Sequence, residues 1–331
     1  MNKLHVMLMT GALIFAAMGN AVAQDKVLFS LQWIPNGNHF GVFAAKEQGF
    51  YREANLDVDI QRGFGSGDTA KRVATGTADI GIADAGSVIL GRSNGLKIKL
   101  LASLYEKSPD VIFFIKNNGI ARPKDLEGRT IGATAGEAAE KMIPIFAEKA
   151  GFDSSKLSVV NIAPSAKYAS LVAKTVDSIV GFINEEPPIQ AAAQKTGLQV
   201  GRFQFSDFGI DYYSLGFIAS DNMIAQRPDV LKRFVAATMK GYAWAIKNPE
   251  GAADDFVKNY PETTRSVVIE QWNAALPLIV TDNTRKNGLG TIEAAKMVDT
   301  IKLISKVQKI DSPIPAKDVY VTDFIPNVRV D

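Results

Sequence analysis

Two glycine-containing turns are the first features of the sequence that could bind a ligand. Gly65-Ser66-Gly67 and Thr134-Ala135-Gly136 each follow an apolar, strand-like run and precede a helix-like run. The first backbone N–H groups of a helix have no partner within it, and with the helix dipole they favour a bound anion or polar group. Glycine is also used in such turns for purely conformational reasons. The prediction of a ligand site therefore rests on finding one turn in each half of the chain.

Acidic side chains occur at the same kind of position. Asp68 and Glu137 fall in the first turns of the helices that follow the two glycine turns, where an acid can simply complement the helix dipole. Asp84 and the pair Glu185-Glu186 instead follow apolar strand-like runs. A carboxylate there would accept hydrogen bonds from an amine or a ring N–H. The sequence leaves open which of Glu185 and Glu186 faces the ligand.

Aromatic side chains lie in the predicted loops near these turns. Trp33, Tyr105, Tyr212 and Tyr213 are the residues concerned. A flat ligand can stack on such rings while the indole and hydroxyl groups stay hydrogen-bonded at the rim. We therefore expect a site for a planar molecule.

The composition excludes several kinds of chemistry. The 331 residues contain no cysteine, which rules out disulfides, thiolate nucleophiles and cysteine-ligated metals. His5 lies in the N-terminal leader, so His39 is the one histidine expected in the mature chain and a multi-histidine metal site is not expected. The net charge of +2 gives no general attraction to nucleic acid. We expect neither a metal nor a cofactor.

The N-terminus has the pattern of a cleaved signal peptide. Lys3 precedes an apolar run over residues 6–17, and Ala21-Val22-Ala23 gives the small-x-small pattern before a cleavage site. The run is shorter than the ~20 residues that span a bilayer. Residues 1–23 are therefore predicted to be removed on export, and the mature protein is predicted to be soluble.

The elements that must position these residues alternate between strand and helix. The segment from Leu56 to Gln61 alternates apolar and polar residues and is typical of a half-buried strand, and Asn38 is predicted to cap a helix over residues 39–48. Strands and helices alternate without hairpin signals, which favours an α/β fold with a mostly parallel sheet flanked by helices.

The pattern starts again after Leu126, which indicates two lobes. We assign residues 24–110 and 216–331 to lobe I and residues 111–215 to lobe II. No linker separates them, so two short crossings near Asp110 and Ser214 would act as the hinge. The C-terminal third is mainly helical, and residues 318–328 are expected to form a strand and tail that dock on lobe I.

Five short motifs resemble those of a known family. They are Trp33-x-Pro35-Asn36-x-Asn38-His39, Ala44-Ala45-Lys46-Glu47-x-Gly49-Phe50-Tyr51, Leu56-Asp57-Val58, Gly76-x-Ala78-Asp79-Ile80-Gly81 and Lys124-Asp125-Leu126-x-Gly128-Arg129-Thr130-Ile131-Gly132. With them the chain resembles the NMT1/THI5-like substrate-binding proteins of ABC importers over essentially its whole mature length. That group includes binders of thiamine pyrimidine precursors, riboflavin, alkanesulfonates, taurine and nitrate.

The resemblance implies a two-lobed periplasmic binding protein of type II with mixed, mostly parallel sheets. Such a protein closes on its ligand and presents the closed form to a permease in the inner membrane, and a monomer is the default for this architecture. In the pyrimidine branch the loop with Trp33, Asn38 and His39 forms part of the pocket, an aromatic near Tyr105 stacks on the ring, and an acid at the Glu185 position holds ring substituents. In the sulfonate branch the two glycine turns would hold the anionic head. The predicted ligand-binding residues are Trp33, Asn38, His39, Ser66, Gly67, Asp68, Asp84, Tyr105, Thr134, Gly136, Glu137, Asn184, Glu185 and Tyr212.

Several carboxylates around a buried simple anion would repel it, so nitrate or a plain sulfonate fits poorly. We therefore predict a periplasmic solute-binding protein, not an enzyme, for a small nitrogen-containing heterocycle that resembles a thiamine pyrimidine precursor. A taurine-, alkanesulfonate- or nitrate-type binder is the alternative. Pyrimidine synthases share the family's fold, but they depend on a cysteine-rich segment and this chain has no cysteine.

Overall fold

The computed structural model describes residues 23–312 and 314–330, so the predicted signal peptide lies outside it except for Ala23. Two five-stranded sheets form the framework. The strands are β1 (Asp25–Ser30), β2 (Leu56–Gln61), β3 (Ile80–Asp84), β4 (Ile98–Ser103), β5 (Asp110–Ile115), β6 (Thr130–Ala133), β7 (Ser158–Asn161), β8 (Ser178–Phe182), β9 (Val200–Gln204) and β10 (Leu215–Ser220). The first sheet has the order β2-β1-β3-β10-β4 and the second the order β7-β6-β8-β5-β9.

Helices flank both sheets. They are α1 (Phe40–Glu47), α2 (Phe50–Glu53), α3 (Ser66–Ala74), α4 (Ala85–Ser93), α5 (Ala138–Lys141), α6 (Ile143–Ala150), α7 (Lys167–Val172), α8 (Glu186–Gln194), α9 (Asp221–Gln226), α10 (Pro228–Lys247), α11 (Pro249–Asn259), α12 (Arg265–Ile279), α13 (Asp282–Asn287), α14 (Ala294–Val307) and α15 (Ala316–Val319). Among the described residues, none of these helices is both long and apolar enough to cross a bilayer.

Each sheet is mixed, because a reversed strand is inserted among parallel ones. β10 pairs antiparallel with β3 and β4, and β5 pairs antiparallel with β8 and β9, whereas the remaining pairs are parallel. Both reversed strands follow directly on a chain segment that passes from one sheet to the other. These two segments are hydrogen-bonded to each other, since Ser214 N donates to Tyr105 O at 3.0 Å and Tyr105 N donates to Leu215 O at 2.8 Å. We keep the names lobe I and lobe II for the division proposed from the sequence.

The first helix after β1 begins differently from the prediction. Asn36, rather than Asn38, is the capping residue, because Asn36 Oδ1 accepts a hydrogen bond from Asn38 N at 3.1 Å. A single 3₁₀ turn at Gly37–His39 follows, and α1 starts at Phe40. The Asn38 side chain is thereby left free of the capping role.

α1 and α10 pack at very short range in lobe I. A Cβ on Gly241 would lie 2.1 Å from the carbonyl oxygen of Gly41, so both helices depend on residues without side chains at the crossing. Tyr242 of α10 covers Gly41 with its ring. This packing fixes α10 beneath the loop that precedes α1.

The C-terminal segment docks on lobe I, as expected, but without a full strand. Tyr320 makes an isolated parallel bridge with Leu100 of β4, and Leu289 N donates to Val328 O at 2.8 Å. The predicted strand over residues 318–328 is therefore reduced to one bridge after α15.

Candidate ligand-binding site

A small, partly open cavity lies between the two lobes. Its volume is about 30 Å³, and a water molecule needs about 10–15 Å³ of such space. The lining residues are Gln32, Trp33, Asn36, Asn38, Gly65 and Ser66 from lobe I and Glu137, Ala138, Phe182, Asn184 and Glu185 from lobe II. The two lobes thus lie against each other, with room between them for one or two water-sized molecules.

The loop that contributes Trp33 is stiffened by His39. The imidazole Nδ1 accepts from Asn36 N at 3.2 Å, so Nε2 carries the proton and donates to Gln32 Oε1 at 3.0 Å. Burial lowers the pKa of His39 to about 3, which keeps the ring neutral. His39 was predicted to contact the ligand, but both ring nitrogens are used to hold the loop.

The helices of the C-terminal third hold the same loop from below. Gln271 Oε1 of α12 accepts from Gly37 N at 3.0 Å, and the hydroxyl of Tyr242 donates to Asn38 O at 3.0 Å. The backbone on both sides of the Asn38 side chain is therefore fixed.

Several buried polar atoms at the cavity have no hydrogen-bond partner among the described residues. They are Trp33 Nε1, Asn38 Oδ1 and Nδ2, Asn184 Oδ1 and Glu185 Oε2. The hydroxyl of buried Tyr105 is also unpartnered, and burial raises the pKa of Tyr105 so that the group stays protonated. Buried polar atoms are nearly always hydrogen-bonded in folded proteins. Their convergence on one cavity marks it as a site for a polar molecule.

The lobe II wall of the cavity carries two carboxylates and an ammonium group. Lys167 Nζ contacts Glu137 Oε1 and lies 3.2 Å from Glu185 Oε2. The second oxygen of each acid is bound locally, since Glu137 accepts from Thr134 N at 2.9 Å and Glu185 accepts from Phe182 N at 3.0 Å. Both carboxylates are thus oriented by the backbone, with one oxygen each directed at Lys167.

Burial and these contacts shift the proton affinities of the cluster. Burial raises the pKa of Glu137 to about 7, although the charge of Lys167 opposes the shift. Burial alone would lower the pKa of Lys167, but Glu137 and Glu185 keep it above its ordinary value. The lysine is therefore charged at neutral pH.

The two glycine turns meet across the cleft. Gly67 N donates to Gly136 O at 3.2 Å, and Ala135 N donates to Asn161 Oδ1 at 3.1 Å. Thr134 N is taken by Glu137, and the Thr134 hydroxyl donates to Ile162 O. In this arrangement the predicted anion cradle is partly occupied by the protein itself, because Gly67 N, Thr134 N and Ala135 N are bonded, whereas Ser66 N and Gly136 N have no acceptor among the described residues.

Ser66 and Asp68, both near the first glycine turn, lie at different distances from the cavity. Ser66 lines the cavity, and its hydroxyl oxygen accepts from Asp84 N at 3.1 Å. Asp68 lies outside the cavity, beside Arg62 and exposed Phe64 on the surface of lobe I. Asp68 was predicted at the ligand and does not line this cavity.

Two further predicted contacts belong to the hinge. Asp84 caps α4, because Asp84 Oδ1 accepts from Gly86 N at 2.8 Å, and its Oδ2 accepts from the Ser214 hydroxyl at 2.7 Å. The hydroxyl of wholly buried Tyr212 donates to Asp110. These side chains have partners where the two crossings run together, and neither lines the cavity, so the ligand role of Asp84 and Tyr212 stays a prediction.

The structure separates the neighbouring acids Glu185 and Glu186. Glu185 lines the cavity, whereas Glu186 forms an ion pair with Arg202 at the surface. Sequence reasoning missed Gln32, Phe182 and above all Lys167 as parts of the site. Lys167 stands alone among small residues at the start of a helix, and no spacing or motif in the sequence connects it with the two acids.

Among the described residues, no group of three or more His, Cys, Asp or Glu side chains is arranged to hold a metal ion.

Comparison with known proteins places this architecture in a family. The chain is 26% identical over 306 residues to a formylaminopyrimidine-binding protein of Halalkalibacterium halodurans, with 91% of this chain and 92% of the relative covered. It is 26% identical over 311 residues to the riboflavin-binding protein RibY of Chloroflexus aurantiacus, with 91% and 86% covered. The relatives also include a 4-amino-5-hydroxymethyl-2-methylpyrimidine phosphate synthase of Legionella pneumophila, 24% identical over 257 residues, with 77% and 80% covered.

The fold is shared with solved binding proteins. The alkanesulfonate-binding protein SsuA of Xanthomonas axonopodis pv. citri, bound to MOPS, superposes with a TM-score of 0.71 at 11% identity, covering 91% of this chain and 99% of that one. The two-lobed α/β fold expected from the sequence is thereby confirmed. The family model for NMT1/THI5-like proteins matches residues 36–252, about two thirds of the sequence, and the chain belongs to the NMT1/THI5-like family.

Proposed function

We propose that this protein is the solute-binding component of an ABC importer and captures a small, flat nitrogen heterocycle of the thiamine-pyrimidine-precursor type. The ligand is held between the lobes without covalent chemistry. The relative that binds a formylaminopyrimidine covers nearly the whole chain and supports this ligand class.

The free amide of Asn38 is the observation that carries the proposal. Its Oδ1 and Nδ2 are both unpartnered and face a cavity that Trp33 also lines. An amide presents one acceptor and one donor side by side, which complements an amino group next to a ring nitrogen, as in the pairing of Asn with adenine. An aminopyrimidine presents such an edge and a flat face that Trp33 can stack on.

The charges of the cavity argue against an anionic ligand. Glu137 and Glu185 line it, a single cation, Lys167, contacts both acids, and Gly67 N, Thr134 N and Ala135 N of the glycine turns are bonded to the protein. A sulfonate placed there would add a negative charge beside these carboxyl groups at low dielectric. A neutral or amine-bearing ring avoids this cost.

Closure is the proposed mechanism. Asn38 and Trp33 belong to lobe I, and Asn184 and Glu185 belong to lobe II, so a ligand contacts all four only when the lobes are together. A ligand with more contacts in the closed state shifts the population toward it. The paired crossings through Tyr105 and Ser214 are the proposed hinge.

A catalytic role is the less favoured alternative, although some relatives are synthases. The chain has no cysteine, and His39, the one histidine outside the leader, is neutral with both nitrogens bonded. We propose that the protein is exported to the periplasm after removal of residues 1–23, acts as a monomer, and delivers its ligand to a membrane permease.

The test is a binding screen by thermal shift, followed by calorimetry. A ligand that binds only the native state raises the melting temperature with concentration. Aminopyrimidines and riboflavin are compared with taurine, alkanesulfonates and nitrate, using the wild type and Asn38→Leu. We expect binding of an aminopyrimidine that Asn38→Leu weakens at least about tenfold, because a buried edge loses two hydrogen bonds. Binding of a sulfonate alone, unaffected by Asn38→Leu, would overturn the proposal.

A further inference from the structure

Lys167 makes the contacts that a ligand's amino group is expected to make. Its side chain is fully buried, and its ammonium lies between Glu137 and Glu185. The same ammonium lies 5.2 Å from the centroid of the Trp33 ring. The two acids belong to lobe II, as Lys167 does, but Trp33 belongs to lobe I, so the cation–π contact crosses the cleft.

Burying the Lys167 ammonium group has an energetic cost, and the local structure gives no reason for burying it. Removing an ammonium group from water costs several kcal/mol and is offset only by well-placed partners. The partners here are the inward-facing oxygens of two acids, whose other oxygens are already bound to Thr134 N and Phe182 N. While Lys167 stays in place, its ammonium lies against one oxygen of each carboxylate, the position that a ligand amine would take, and Glu185 Oε2 makes no hydrogen bond among the described residues.

The Trp33 ring leads to the same conclusion. Its indole N–H is unpartnered and its side chain lines the cavity, but the ring face turned toward lobe II is covered by the Lys167 ammonium. A flat ring between the lobes needs this face for stacking. Lys167 and an aromatic amine therefore compete for the same acids and the same indole face.

We infer that Lys167 is an internal competitor of the ligand, a specificity-determining residue whose ammonium occupies the amine-recognition position in the closed lobes and withdraws when ligand binds. The ligand class in this inference rests on the proposed function. A molecule that lacks either the amine or the aromatic face cannot replace all of the lysine's contacts. It would leave buried charges unpaired, which is strongly unfavourable. The lysine thereby rejects ring compounds without an amino group.

The first measurement is affinity for 4-amino-5-hydroxymethyl-2-methylpyrimidine and for the same ring without the amino group, by calorimetry. Lys167→Met removes the charge and keeps the length of the side chain. We expect Lys167→Met to bind the amino compound about tenfold more tightly, because the acids and the indole face become free. The compound without the amino group should gain at least as much, because the variant lacks the lysine that rejects it, so the preference for the amino compound should fall. Weaker binding of the amino compound would overturn the inference, since it would make Lys167 a direct contact.

A second readout needs no ligand. Lys167→Met removes an attraction between the lobes, so small-angle scattering of the ligand-free protein should show a larger radius of gyration than the wild type. An unchanged radius would contradict the inference. This comparison remains informative if no aminopyrimidine binds at all, in which case the proposed function fails and the role of Lys167 in closure is still decided.

Two controls guard against loss of folding. Lys167→Met leaves two acids facing each other, so the double variant Lys167→Met/Glu137→Gln restores a single charge, while the amide oxygen of the substituted side chain can still accept from Thr134 N. The same opening is expected from it, with a smaller gain in affinity because one of the two acids is gone. Lys195→Met removes an exposed lysine after α8 and should change neither affinity nor radius.

Discussion

The backbone N–H of Gly67 in lobe I donates a 3.2 Å hydrogen bond to the carbonyl oxygen of Gly136 in lobe II. The lobes meet here backbone to backbone, because neither turn has a side chain at the contact. A Cβ on Gly65 would lie 2.8 Å from the same carbonyl oxygen. The glycines of the first turn therefore permit closure, in addition to providing a tight connection.

Gly65→Ala should weaken closure. The added Cβ collides with Gly136 O, and Gly65 has a φ of +128°, a conformation that alanine rarely adopts. We expect lower folding stability and at least about tenfold weaker ligand binding, measured by denaturation and calorimetry. Gly76→Ala is the control, because Gly76 has a φ of +74° and nothing within 4 Å of its Cβ position. It should lose stability but not affinity, and an equal loss of affinity would refute the steric explanation.

Trp33 variants separate stacking from hydrogen bonding. Trp33→Ala should abolish measurable ligand binding, because the side chain lines the cavity, and should lower folding stability, because the side chain is only 7% exposed. Trp33→Phe keeps a ring but loses the unpartnered indole N–H, so its affinity should be intermediate. Trp244→Phe, on α10, should bind normally. Equal affinity of Trp33→Ala and wild type by calorimetry would exclude a stacking role.

The fold was predictable where one physical signal dominates. Strand β2 was predicted with its true bounds, because Leu56, Val58 and Ile60 alternate with polar residues on a half-buried sheet. The predicted cap of the first helix, Asn38, differs from the observed cap, Asn36, because asparagine is an equally good cap at either position. The hydrogen bond from Gly37 N to Gln271, 234 residues away in sequence, favours the earlier position.

The site was less predictable, because its residues are defined by pairing. Asp84 and Glu185 both follow apolar strands, but Asp84 turns back to cap α4 and Glu185 faces the cavity. Donors of the glycine turns were expected to be free, yet Gly67 N has a partner in the other lobe and Thr134 N has one in Glu137 of its own lobe. Lys167 carries no local signal, since its function depends on acids 18 and 30 residues away.

Asp110 should make stability depend on pH. Burial raises the pKa of Asp110 to about 8, compared with about 4 in the unfolded chain. Hydrogen bonds from Tyr212 and Ser108 oppose this shift, and nearby acids add to it. Between about pH 4 and pH 8, Asp110 is therefore protonated in the folded protein and ionised in the unfolded chain. Its stabilising effect is complete below about pH 4 and is lost as the pH rises through 8.

Asp110→Asn mimics the protonated acid and should flatten this dependence. Its free energy of unfolding relative to wild type should rise between pH 5 and pH 8, by at most about 1.4 kcal/mol per pH unit, in chemical denaturation. Asp299→Asn, at a side chain that is 77% exposed, serves as the control and should run parallel to wild type. Parallel curves for Asp110→Asn as well would show that Asp110 is ionised in the folded protein.

The adjacent acids Glu185 and Glu186 provide a matched pair for testing the ligand class. Glu185→Gln keeps an oxygen that accepts from Phe182 N but removes the charge beside Lys167. An aminopyrimidine should therefore bind at least about tenfold more weakly, because a charge-assisted hydrogen bond is worth ~1.5–3 kcal/mol. Glu186→Gln removes only a surface pair with Arg202, worth ~0–1 kcal/mol of stability, and should bind as wild type does. Calorimetry with an aminopyrimidine and with taurine decides the class. If Glu185→Gln instead improves taurine binding and leaves the aminopyrimidine unchanged, the amine-recognition role of this carboxylate is excluded.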